Sequence, residues 1–348
     1  MRRVIAIFSI VAGLAAPALA AATLPANFEF TSTDLVNRWV SNYRLKPQPV
    51  LLPAAVRALS QSGALKETEA AGIYVGFIAG VIYANPGKAD ELIGKMSAIA
   101  PADQWVVVRG IAYSGHPDWK GLLQRAAERM PTRKVMIEKY VEGKLQTLDQ
   151  IALDKKDPTL WDKVSSPFRS NKGATLQYEM TFATSPELLD TLWGYYFATG
   201  SYGPIARIVT LLPWSNDRDS VDKLTVGSMA KYTLASNASR DQSLLGLLKA
   251  SSKNQPKEVA PVLTEVIDAA ETMETTRLRK AALASLEELK RKGPGYKRDI
   301  STWGQIGQGA LALGCIAAAA TGQVQFGLPC VIGGAASGAA MSFWEKQQ

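Results

Sequence analysis

Apolar residues recur at three- and four-residue spacing along most of the chain, and helix-start signals introduce the runs. Ser32-Thr33-Asp34, Pro101-Ala102-Asp103, Ser185-Pro186-Glu187 and Pro256-Lys257-Glu258 are four such starts. No segment sustains the alternation of a half-buried strand. The nearest, "WVVVRGIAY" (105–113) and "ARIVTLL" (206–212), each sit inside a longer helical pattern. The pattern predicts an all-α fold.

Within that pattern lies a repeat. "GVIYANPGKADELIGKMSAIAP" (80–101) and "GIAYSGHPDWKGLLQRAAERMP" (110–131) align without a gap at an offset of 30. Gly80 falls on Gly110, Tyr83 on Tyr113, Ala84 on Ser114, Leu92 on Leu122 and Pro101 on Pro131. A third copy, Gly194 to Pro213, keeps the glycine, an aromatic three residues on, a turn and the closing proline; a fainter fourth runs from "KYTLASNASRD" to Pro256. Helix, turn and helix at such a period predict α-solenoid-like stacking. The leading glycine is expected to let a neighbouring helix approach, the tyrosine or phenylalanine to fill space between layers, and the proline to end the unit.

Gly72, Gly76 and Gly80 stand four residues apart in "AAGIYVGFIAGVIY", so they share one helix face. The apolar run from Ala70 to Ala84 is about 15 residues, short of the ~20 that span a bilayer. A tightly packed core helix is expected.

The third copy resembles a tetratricopeptide unit. Leu192, Tyr196, Gly200 and Tyr202 match that repeat's Leu, Tyr, Gly and Tyr, while Ile205 replaces its alanine and Trp193 its glycine. The resemblance implies a curved scaffold whose concave face binds peptides or partner proteins, and it implies no catalysis.

The ends divide the chain further. Arg2 and Arg3, an apolar run to about Leu14, and Ala18-Leu19-Ala20 read as a signal peptide over 1–21. Residues 22–141 form a first helical repeat region and 185–299 a second. Between them 142–184 are polar and turn-rich, a linker or capping loop with one short helix expected near Pro158 to Val164. The formal charge of +8 falls to +6 without Arg2 and Arg3, a mild excess that does not argue for nucleic acid.

Catalytic signatures are absent: no nucleophile elbow, H-E-x-x-H, phosphate loop or dinucleotide fingerprint occurs. No motif asks for a cofactor or metal. His116, the single histidine, sits in the turn "SGHPDW", where a solvent-exposed turn residue is expected. The polar stretches "FATG" (197–200) and "LASNASRD" (234–241) fit helix ends and caps, and Trp105, Trp119, Trp161, Trp193 and Trp214 fit core and interface anchors.

The C-terminal segment stands apart, because residues 300–344 carry no charge at all. "GQVQFG" joins two apolar halves, with Ala310, Gly314 and Ala318 in one and Gly334 and Gly338 in the other. Small residues at this spacing allow two antiparallel helices to touch closely. Cys315 and Cys330, the only cysteines, then lie at matching heights about the turn, suited to a disulfide. Trp303 and Trp344 bracket the hairpin. Upstream, Arg277, Arg279, Lys280, Lys290, Arg291, Lys292, Lys297 and Arg298 outweigh Glu287, Glu288 and Asp299, a local excess of +5 that would attract an anionic membrane. Against insertion stand four glutamines and Pro329, and the same basic run also reads as a solvated helix face. Bilayer insertion and docking on the helical body both remain open.

The function expected is therefore an exported helical-repeat scaffold or protein-interaction module of a bacterial envelope, membrane-associated through its C-terminal hairpin, with a protein or peptide partner. The alternatives are a secreted membrane-active protein and, third, an envelope hydrolase using a carboxylate pair.

Overall fold

The computed structural model describes residues 24–25, 28–151, 185–272 and 284. The signal segment 1–21, the short helix expected at 158–164, the basic run 277–298 and the hairpin 300–344 with Cys315 and Cys330 lie outside the described residues.

Among the described residues the regular structure is helical throughout, with no strand. The first region holds α1 (Thr33–Asn42), α2 (Leu52–Gln61), α3 (Gly72–Ala84), α4 (Ala89–Met96), α5 (Trp105–Tyr113), α6 (Trp119–Arg129) and α7 (Lys134–Val141). The second holds α8 (Pro186–Thr199), α9 (Tyr202–Thr210), α10 (Val221–Ala238), α11 (Gln242–Ser252) and α12 (Ala260–Glu271). Two of the expected start signals are true caps: Ser32 and Ser185 accept the backbone N–H of Leu35 and Leu188, each at 3.3 Å. Asp241 caps α11 in the same way, accepting from Ser243 and Leu244. These side chains satisfy donors that a helix start leaves unpaired.

The three segments aligned in the sequence each fold as a helix–turn–helix pair: α3 with α4, α5 with α6, and α8 with α9. Neighbouring pairs pack α3 on α5 and α4 on α6, while α2 extends the α4 side. The largest helix–helix contact joins α3 to α8, two elements remote in sequence. α3 is buried from Gly72 to Ile82, as a helix apolar on every face must be.

The glycine ladder explains the α3–α8 crossing. A Cβ on Gly76 would fall 1.8 Å from the Thr191 carbonyl oxygen, and one on Gly194 would fall 2.0 Å from that of Ile73. No side chain fits between the two helices there, so they meet backbone to backbone. Trp39 and Tyr43 close over Phe77 of α3 in edge-on contacts of 5.2 and 5.0 Å. Two ion pairs hold the assembly at its edges. Arg109 of α5 pairs with Glu187 of α8, and Arg44 pairs with Asp241, which also accepts the Tyr196 hydroxyl at 2.8 Å.

Candidate functional site

The end of α3 at Tyr83, the turn after α5 and the turn between α8 and α9 lie close together. There a groove of about 1040 Å³ opens between α3, α5, α6, α8, α9 and the turn after α7. Tyr83 ends α3 and forms one wall, half exposed, with its ring 6.0 Å from that of Tyr195. The Tyr195 hydroxyl donates to the Ser114 carbonyl at 2.9 Å, fixing the ring at the end of α5. Burial pushes its ionisation above the ordinary tyrosine value, with Tyr83 adding to the shift, so it stays a neutral donor.

The second repeat supplies the opposite wall. Ser114 accepts the His116 N–H at 3.1 Å, and His116 Nδ1 accepts the Asp118 N–H at 3.0 Å. Trp119 is half-buried beside it, and the Lys120 ammonium lies 5.5 Å from its ring centre. Tyr113, buried at the base, meets Tyr140 edge-on at 6.3 Å.

The floor comes from the turn at 147–151 and from α9. Thr147 and Gln150 form a capping box that orders the turn. Arg207 donates to the carbonyls of Leu148 and Ile151, both at 2.7 Å, and so clamps the turn to α9. Gly203, Ala206, Arg207 and Thr210 follow one another at three- and four-residue spacing along the groove side of α9. Burial draws the Arg207 guanidinium below the ordinary arginine value, with Asp149 acting in the opposite sense.

The arrangement offers aromatic ledges, an imidazole, a serine-anchored turn and one arginine. Such a surface can hold apolar or aromatic side chains while a few polar groups fix their orientation. His116 Nδ1 is already engaged by backbone, and no nucleophile is hydrogen-bonded to the ring. Among the described residues no cluster of His, Cys, Asp or Glu could hold a metal, and no helix is long and apolar enough to cross a membrane.

Several expectations meet the structure here. Trp105, Trp193 and Trp214 are buried as anchors, Trp119 lines the groove, and Trp161 lies outside the described residues. Gly200 in "FATG" is the left-handed residue ending α8 (φ 67°), and Asp241 in "LASNASRD" caps α11, so both stretches are structural. Tyr83 is a correction. Expected to fill space between layers, it stands 50% exposed, because it lies in the last turn of α3, where its ring lines the groove beside Tyr195. His116, expected in an open turn, is only partly exposed because the groove closes around it. Tyr195 and Arg207 had no signal of their own.

In comparisons with known proteins the chain matches no family model, no curated protein and no solved structure.

Proposed function

We propose that the protein is an exported helical-repeat scaffold of the bacterial cell envelope, stacked in solenoid fashion, that binds a peptide or partner protein in the Tyr83–Trp119–Tyr195 groove. The observation that carries this reading is the groove itself: Tyr83 of α3, the turn after α5 and the turn between α8 and α9 meet in one aromatic-lined surface. The tetratricopeptide-like spacing of the third copy is consistent with peptide recognition. Export rests on the arginine-led apolar N-terminus. Membrane association rests on the uncharged segment 300–344 and its +5 upstream neighbour, with Cys315 joined to Cys330 across the hairpin turn.

Photocrosslinking tests the groove. Full-length protein carrying benzoylphenylalanine in place of Tyr83 should give a discrete crosslinked product in bacterial cells, and Trp119→Ala should remove it. The same probe at Val135, which is 66% exposed outside the groove, should give none. Identical products from both positions, or none from either, would refute the reading.

A further inference from the structure

Asp190 sits inside α8, wholly buried, and among the described residues neither carboxyl oxygen has a hydrogen-bond partner. Its position is the α3–α8 seam, where a Cβ built on Gly72 would lie 3.2 Å from the Asp190 Cβ and 2.4 Å from the Glu187 carbonyl oxygen. The first turn of α3 begins beside it, yet no N–H of that turn reaches its oxygens. Few groups face it. From α3 comes Tyr74, whose hydroxyl donates to Asn37 at 3.0 Å; Asp34 of α1 reaches Tyr74 in turn. From its own helix comes Glu187, which Arg109 of α5 pairs. The one charge acting on Asp190 among the described residues is thus negative.

A bare carboxylate is not tolerated in such a place, because desolvation is uncompensated by any cation or donor. The carboxyl can remain buried only with its proton on. We propose that Asp190 is a proton-controlled latch on the α3–α8 crossing, closed while the carboxyl is neutral and released when it ionises into water. The latch joins the two helical regions, and opening it exposes the all-apolar α3. This inference does not rest on the groove having a ligand.

The direction follows from linkage. Burial, reinforced by Glu187, pushes the carboxyl well above the usual carboxylate range in the closed state. In the open state it titrates as an ordinary aspartate near ~3.9. Closure is therefore favoured in full below about pH 4, and each further pH unit multiplies the opening constant by about ten until the closed form itself ionises.

Hydrogen exchange of the full-length protein between pH 5 and 8, corrected for intrinsic exchange, reads that constant directly. Protection of the α3 and α8 amides should fall by up to about tenfold per pH unit. In Asp190→Asn, which keeps Glu187, Arg109, Tyr74 and Asp34, the fall should vanish. Parallel pH dependence in both proteins would overturn the latch. Should Asp190→Asn fail to fold, the carboxyl ¹³C resonance of Asp190 in the unaltered protein decides: a protonated shift at pH 6 supports the proposal and an ionised one refutes it.

Discussion

At the residue scale, glycine acts here through what it leaves out. Gly76 and Gly246 both sit inside helices, yet their surroundings differ completely. Around Gly76 the Thr191 backbone occupies the space of a side chain, whereas a Cβ on Gly246 meets nothing within 4 Å. Gly76→Ala should force α3 and α8 apart and destabilise the protein by at least ~1–3 kcal/mol, the usual range for overpacking. Gly246→Ala, on an exposed helical site, should stabilise it by about 0.5–1 kcal/mol. Chemical denaturation of both variants checks the pair, and equal effects would contradict the crossing.

At the element scale, Asp241 does two tasks at once. It caps α11 through two backbone N–H groups, and it receives Arg44 from the first region and the Tyr196 hydroxyl from α8 of its own region. The Arg44 guanidinium also lies 5.3 Å from the Tyr196 ring centre. Asp241→Ala removes the cap and strands a largely buried cation, so a loss of ~3–5 kcal/mol is expected. Asp241→Asn retains the cap and should lose distinctly less. In the Arg44→Ala background the cost of Asp241→Ala should shrink toward that of the cap alone, about 1 kcal/mol. Thermal melts of the cycle separate the two tasks. If the three losses simply add, the Arg44 contact contributes nothing.

At the scale of the whole molecule, the helical body and the C-terminal segment are chemically distinct. Among its described residues the body carries no helix long and apolar enough to span a bilayer, and the attachment proposed above is assigned to the uncharged residues 300–344. Extraction should show it. Full-length protein is expected to need detergent, and protein lacking 300–348 to come off in salt or buffer. With the proposed Cys315–Cys330 bond, the extracted full-length protein should also be lighter before reduction than after. Release of both forms by salt alone would dismiss the hairpin as an anchor.

What could be read from the chain alone was what is decided locally. Ser32, Ser185 and Asp241 satisfy helix ends within three residues of themselves, and period-3.6 spacing sets which faces are apolar. The all-α fold, the helix starts and the closely approached glycine faces follow from those short-range rules. A glycine ladder reports that something will come close, not which partner does. Tertiary packing chose α8 for Gly76, across the whole span from α3 to Pro186. The same choice turned Asp190, one polar residue in "PELLDTLW", into a buried unpaired acid, and gathered Tyr83, Trp119, Tyr195 and Arg207 around one groove. Burial and convergence depend on contacts between distant segments, and no local pattern carries that information.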